Sequence, residues 1–466
     1  MRKRSVYRLP PALVDDLTRQ NPWWQSDPQP VLPAFRRWPY AVLDKRLRDP
    51  IAPIVLLRGP RQVGKTTLLR QLADDLLDSG WPPANLTYFD FEDFRLKRQV
   101  SPEEIAKLRP ADADRDRPQI LLLDELHNVP RWDRWLKHAV DNRLGRIVAT
   151  DSAASLLREA GRESGLGRWD EIVLEGLTAQ EFAALTTGPA GAQRGSARSA
   201  RDDLRGLAGD PELVERYLAV GGFPAHATSD DYRLVRERLR NDIVDRALRR
   251  DLAARVQDPE RLRKLFVYLV QESGAEQNLA ARANDLGNVD ARTVAKWVGL
   301  LEDTFLVVTL DRGSSSNKAA ERLRGRSKLY AGDHGLVTAF AEVPAHESEV
   351  RGKVFETVVY RHLREIARAQ SGRVQYLRWK DGLEVDFILE AGSERFAVEV
   401  THSVQPKPGK RKTLERAAER AGIGRAVLIH GGLAEGEVEG ITFLPLFRFL
   451  ADPWPALAGD RPGGGR

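Results

Sequence analysis

Short continuous apolar runs alternate with helix-spaced apolar stripes through the first part of the chain. Ile54-Val55-Leu56-Leu57, Leu86-Thr87-Tyr88-Phe89-Asp90-Phe91, Ile120-Leu121-Leu122-Leu123, Ile147-Val148-Ala149 and Ile172-Val173-Leu174 read as buried strands. Between them, Leu68, Leu72 and Leu76, flanked by Leu69 and Leu77, recur on one helical face and stop at Gly80. Trp132, Trp135, Leu136, Ala139, Val140 and Leu144 mark a second such face. Strand and helix in alternation predict a parallel α/β sheet.

The pattern then changes. Residues 188–209 are rich in Gly, Ala, Ser, Arg and Asp without periodicity and predict a linker. Gly221-Gly222-Phe223-Pro224 reads as a turn between helices, and Tyr232 to Leu252 as one long charged helix. A stripe of Leu262, Leu265, Phe266, Leu269 and Val270, shorter helices around 279–286 and 292–301, and a strand at 306–310 follow. Three helices and a strand in this order resemble a winged helix-turn-helix, with basic residues 312–328 as wing or extended loop. Beyond it, a helix over 354–367, strands at 374–379, 385–389, 396–400, 426–429 and 441–444, and a helix at 412–421 predict a small α/β domain. We therefore divide the chain into an N-terminal extension (1–36), an α/β domain (37–187), a linker (188–209), a helical connector (210–258), a winged helix (259–328), a C-terminal domain (329–450) and a frayed tail (451–466).

Composition narrows the function classes. A length allowing about three domains of ~150 residues fits this division. With no cysteine, disulfides, thiol nucleophiles and thiolate metal sites are excluded. No apolar run reaches membrane-spanning length, and Met1-Arg2-Lys3-Arg4 is not followed by a signal-peptide core. The expectation is a cytoplasmic protein with no membrane partner. The formal charge of +6 permits nucleic acid without requiring it. The adjacent Trp23 and Trp24 either pack against a neighbouring element or stack on a base.

Candidate chemistry begins at the first strand-to-helix turn. Gly59-Pro60-Arg61-Gln62-Val63-Gly64-Lys65-Thr66, then Thr67, has the spacing of a phosphate-binding loop, in the strand-loop-helix context it needs. Backbone N–H groups of the loop and first helical turn would bind phosphate oxygens. Lys65 would reach the β- and γ-phosphates and Thr66 would ligate magnesium, making ATP and Mg2+ the expected cofactors. Asp124-Glu125 ends the third strand. Asp124 would hold the magnesium-bound water shell and Glu125 would activate the attacking water, which points to hydrolysis. In a sheet of this class the strand ending Thr150-Asp151-Ser152 lies between the two phosphate-site strands, making Ser152 the preferred γ-phosphate sensor. Arg168, after a Gly-rich stretch, is a candidate arginine finger.

In the C-terminal part, Asp386 and Glu399 on adjacent strands, with Glu356 on the preceding helix, could share a divalent cation through hard oxygens. This resembles the PD-(D/E)xK nuclease arrangement. That resemblance implies a lysine where Thr401 stands, and Lys380 is the substitute considered. A retained fold that binds metal or nucleic acid without cutting is favoured over an active nuclease. The expected recognition helix carries Arg292, Thr293, Lys296 and Trp297 outward, with Val294, Val298 and Leu301 on the core. Arg322, Arg324 and Arg326 of the basic stretch would add phosphate contacts.

The loop motif, Leu121-Leu122-Leu123-Asp124-Glu125-Leu126-His127, Gly167-Arg168, Leu177-Thr178-Ala179-Gln180-Glu181-Phe182 and Gly221-Gly222-Phe223-Pro224 together resemble a bacterial and archaeal family of AAA-type ATPases with a C-terminal domain of unknown function. The resemblance runs from about Arg37 to Phe447. It implies an ASCE-type P-loop core, a helical and winged-helix middle, and a restriction-endonuclease-like C-terminal domain. Asp151 departs from it, standing where the family usually shows glycine. Three functional readings follow. One is a Mg-dependent ATPase coupling nucleotide state to DNA binding or remodelling. The others are an ATP-dependent signalling or toxin-like switch on a protein partner, and an ATP-regulated metal-dependent nuclease. Homo-oligomers are compatible with each.

Overall fold

The structure is a computed structural model that describes residues 11–27, 30–49, 54–93, 95–96, 100–108, 110, 113–152, 169–187, 210–252, 255–287, 289–313, 327–343 and 347–458. The expected linker, Arg168, and Arg322, Arg324 and Arg326 lie outside these residues. The chain divides into two compact units, Met1–Glu175 and Gly176–Arg466.

The first unit is built on strands β1 (Ile54–Arg58), β2 (Leu86–Asp90), β3 (Ile120–Asp124), β4 (Arg146–Asp151) and β5 (Asp170–Val173). Their order is β2-β3-β4-β1-β5, with every pairing parallel. Apolar runs buried on both faces explain β1 and β3, as a parallel sheet requires, whereas the edge strand β5 has only Ile172 buried. Thus β4 does lie between β1 and β3, and the residues at all three C-terminal ends share one edge. The helix Lys65–Asp78 buries Leu68, Leu69, Leu72, Ala73 and Leu76 and stops before Gly80, whose φ is +81°. Trp23 and Trp24 are held against the start of β2. Both indole N–H groups donate to the carbonyl of Leu86, at 3.1 and 3.0 Å.

In the second unit the helix at Tyr232 differs from its expectation. It is α-helical only over Tyr232–Arg238, then π-helical over Leu239–Asp245 and Ala247–Leu252. Its buried residues, Leu239, Ile243, Val244, Ala247, Leu248 and Leu252, recur four or five apart, a spacing that α winding would spread around the helix. The winged-helix order is present: helix Pro259–Gln271, β6 (Ala275–Glu276), helices Leu279–Asp285 and Ala291–Asp303, then β7 (Val307–Leu310) and β8 (Lys328–Ala331). The three strands form an antiparallel sheet in the order β6-β8-β7. Trp297 corrects the expected outward set. It is 5% exposed because it lies three residues after Val294 and four before Leu301, on the same buried stripe. Arg292 and Lys296 are exposed.

The C-terminal sheet contains β9 (Arg373–Arg378), β10 (Glu384–Ala391), β11 (Glu394–Thr401), β12 (Ala426–His430), β13 (Gly436–Val438) and β14 (Ile441–Pro445), ordered β13-β14-β12-β11-β10-β9. It is mixed: β11, β12 and β14 run parallel, while β9, β10 and β13 pair antiparallel. Helix Pro408–Ala421 sets Leu414, Ala417 and Ala418 against Ala397, Leu428 and Ile441. Two family motifs have structural explanations here. Thr178 and Glu181 cap the helix Ala179–Thr187 reciprocally, each backbone N–H donating to the other's side chain at 3.0 Å. Asp333, 3% exposed, accepts from Gly222 N–H at 3.1 Å and Gly335 N–H at 2.8 Å. A Cβ on Gly222 would stand 2.7 Å from Asp333 Oδ2 and 2.9 Å from Leu177 N, so the Gly-Gly turn is dictated by close approach.

Candidate functional site

The phosphate loop leaves β1 and turns into the helix at Gly64, with φ +97°. A Cβ on Gly59 would lie 2.0 Å from the Leu174 carbonyl oxygen, so only glycine lets the loop pass β5 this closely. Lys65 is buried, and its ammonium donates to the carbonyls of Gly59 and Pro60, each at 2.9 Å. Arg61 pairs with Glu92 at 3.3 Å. Arg37, which sequence reasoning passed over, is also buried. It donates to the carbonyls of Val63 (2.9 Å) and Glu175 (3.0 Å), bracing the loop from behind.

Asp124 faces this loop from the end of β3 and is 1% exposed. Its carboxylate accepts from Thr150 Oγ1 at 2.5 Å and Tyr88 OH at 2.9 Å. Burial, then the charge of Glu125, raises its pKa, while Thr150, Thr66 and Tyr88 pull the other way. Thr66 and Asp124 are hard oxygen donors brought to one place, a set that fits a magnesium ion. Tyr88 was readable only as a strand residue, since nothing in its spacing marks it as a partner of Asp124.

Glu125 has a left-handed backbone, φ +52°, fixed by its N–H donating to Thr150 Oγ1 at 2.8 Å. Its side chain accepts from the Ser152 hydroxyl, and the same oxygen, Oε2, lies 3.1 Å from His127 Nδ1. Burial would raise its pKa, but Lys65, His127 and Ser152 outweigh this and hold it well below the usual carboxylate range. Lys65, Thr66, Asp124, Glu125 and Ser152 therefore converge at one sheet edge.

The C-terminal unit gathers a second group. Val400 N–H donates to Asp386 Oδ2 at 3.0 Å, and Asp386 N–H reaches Glu399 Oε2 at 3.4 Å. Tyr330 OH reaches Glu356 Oε2 at 3.4 Å. Burial first, then Asp386, pushes Glu356 and Glu399 well above their usual range. Two lysines enter this group. Lys410, from the helix Pro408–Ala421, donates to Glu399 Oε1 at 2.7 Å and to the Val400 carbonyl at 2.8 Å. Lys328 pairs with Glu384 at 2.6 Å and lies 3.7 Å from Asp386. Neither was anticipated in this role: Lys328 comes from an element remote in sequence, and Lys410 folds back from the helix that follows β11. Among the described residues, no group of three or more His, Asp or Glu side chains is arranged to hold a metal ion.

Residues 52–183 match the family described as AAA domain, and residues 211–347 and 351–449 match two families described as domains of unknown function. Residues 52–183 thus form an AAA-type P-loop domain. An uncharacterized protein of Haemophilus influenzae is 25% identical over 409 residues, 85% of this chain and 94% of its own. One from Methanocaldococcus jannaschii is 22% identical over 374 residues, 79% of this chain and 78% of its own. Among solved structures, a Walker-type ATPase of Pyrococcus abyssi aligns with TM-score 0.38 and 15% identity, covering 67% of this chain and 99% of that one. Cdc6p of Pyrobaculum aerophilum aligns with TM-score 0.28 and 17% identity, covering 70% and 95%. Among the described residues, no helix is long and apolar enough to cross a membrane.

Proposed function

We propose that the chain is a magnesium-dependent ATPase whose nucleotide state governs engagement of DNA by the second unit. One observation carries the hydrolytic part: the loop after β1 and Asp124-Glu125 after β3 open on one edge, with the Thr150–Ser152 end of β4 between them. In this reading the loop amides and Lys65 hold the phosphates, and Thr66 and Asp124 hold the magnesium ion. When bound, that ion supplies charge neutralisation for the phosphate oxygens. Glu125 orients the attacking water and accepts its proton, and Ser152 reports the γ-phosphate. Arg168 is the candidate for stabilising transition-state charge.

The DNA part is supported by the winged-helix order and by Arg292 and Lys296, exposed on the helix such a fold presents to a groove. ATPase rates measured with and without duplex, branched and single-stranded DNA test it. The expectation is Lys65→Ala without nucleotide binding, Glu125→Gln binding ATP without turning it over, and DNA altering the wild-type rate. Unchanged turnover in Glu125→Gln would refute the hydrolytic assignment. ATP-driven assembly with no salt-sensitive DNA binding would favour the switch acting on a protein partner.

A second reading has its own observation. Lys410 sets an ammonium on Glu399, beside Asp386, and so provides the positive charge that Thr401 lacks. Asp386 and Glu399 would then hold a divalent cation, which supplies Lewis-acid polarisation of a phosphodiester. Lys410 would stabilise charge developing there. Plasmid nicking with Mg2+ or Mn2+ should then occur and be lost in both Asp386→Ala and Lys410→Ala. Nicking that survives in either variant would reject this reading.

A further inference from the structure

Two residues at the nucleotide site have no part in the reading above: His127 and the buried Asp151, which stands where glycine was expected. His127 follows Glu125 by two positions, in the short turn Leu126–Asn128 that Glu125 itself begins. Its Nδ1 lies 3.1 Å from Glu125 Oε2 and 3.5 Å from Asp151 Oδ1. The three side chains are 10%, 14% and 1% exposed, so these charges face each other with little water between them. Asp151 also accepts from Gly59 N–H through its backbone carbonyl, at 3.3 Å, tying the end of β4 to the first residue of the phosphate loop.

A ring nitrogen facing two carboxylates is favoured as the nitrogen that carries hydrogen. Asp151 thus biases His127 towards the form able to donate to Glu125. Ser152 donates to the same Glu125 oxygen. The Ser152 hydroxyl anchors Oε2 and His127 Nδ1 faces the same oxygen at 3.1 Å, whereas among the described residues no hydrogen bond is formed to Oε1. One oxygen anchored and the other left open is the geometry a carboxylate needs to orient a water molecule.

We propose that His127 is a positioning residue for ATP hydrolysis, itself oriented by Asp151, and that with Ser152 it fixes Glu125 so that Oε1 faces the attacking water. This rests on the assignment of Glu125 as the water-orienting base. The test is steady-state ATPase kinetics of full-length variants, with affinity for a fluorescent ADP analogue and the melting midpoint measured alongside. His127→Ala should lower kcat about 10- to 100-fold, the worth of a hydrogen bond to a charged group. Its affinity for the analogue should stay within about twofold of wild type, since the ground-state contacts are untouched. His127→Asn, which keeps a donor near the place of Nδ1, should recover most of kcat. Asp151→Ala should fall between His127→Ala and wild type.

Wild-type kcat in His127→Ala, or an Asn variant as slow as Ala at intact nucleotide affinity, would overturn the proposal. A loss of kcat matched by an equal loss of nucleotide affinity would also overturn it, since that marks a structural role in the loop. Glu125→Gln separates the two layers. If it keeps wild-type turnover, the hydrolytic assignment itself fails. If it stops turnover while His127→Ala does not slow it, only the positioning role fails.

Discussion

Replacing Asp333 by alanine would remove the acceptor that closes the Gly221-Gly222 turn. Two backbone N–H groups, of Gly222 and Gly335, donate to this buried carboxylate. Deleting it leaves both without that acceptor, in a site too crowded for rearrangement. A Cβ added to Gly176, Gly221 or Gly222 would lie 2.5–2.7 Å from an Asp333 oxygen. An orphaned buried donor costs about 1–3 kcal/mol, so the pair costs about 2–6 kcal/mol. Asparagine keeps one oxygen acceptor and should lose roughly half as much. Because the chain has two units, a single unfolding transition is a poor reporter. Amide hydrogen exchange on peptides containing Gly222 and Gly335 reads the local opening directly. Asp333→Ala should accelerate exchange there while leaving peptides of β1 and β3 at wild-type rates. Wild-type exchange in Asp333→Ala, or equal damage from Asp333→Asn, would refute the reasoning.

Three further outcomes are expected. Gly59→Ala should weaken ATP binding at least about tenfold, because its Cβ meets a backbone carbonyl that cannot yield; equilibrium binding of a fluorescent ADP analogue checks this. Burial first, then Asp124 and Glu125, raises the Asp90 pKa to about 6, so its folded form keeps its proton longer than the unfolded chain does. Its stabilising contribution is therefore full below about pH 4 and lost as pH rises through about 6, and Asp90→Asn should flatten the pH dependence of the opening free energy read by amide exchange on β2 peptides across that window. If the winged helix meets DNA, replacing both Arg292 and Lys296 by alanine should reduce the slope of log affinity against log salt by about one for each phosphate no longer neutralised.

The first unit was legible because strands such as β1 and β3 are apolar on both faces, so their runs announce themselves without knowledge of neighbours. The phosphate loop and Asp124-Glu125 were legible for a related reason: each is a local motif fixed to the end of such a strand. What the sequence hid depends on which face of an element packs and on how elements fold back on one another. Trp297 looked like an outward aromatic beside Arg292 and Lys296, but its three- and four-residue spacing from Val294 and Leu301 puts it in the core. Lys410 reaches Glu399 only because its helix crosses back over β11, and no local spacing encodes that. His127 carried a weak local signal, its place two residues beyond Glu125, but its meaning required Asp151 from another strand.

The π-wound stretch from Leu239 to Leu252 bears on how this protein tolerates change. Its apolar face is kept by counting residues as much as by choosing them. Asn241, Arg246 and Arg249 are exposed, and most side chains should be acceptable there. Removing any one of them with the winding kept would swing everything after it by roughly 80° around the axis, one residue's share of a turn in a helix bonded i to i+5. Tolerance of substitution and intolerance of deletion would then coincide in the same residues. Length, rather than chemistry, is the property that this segment holds fixed.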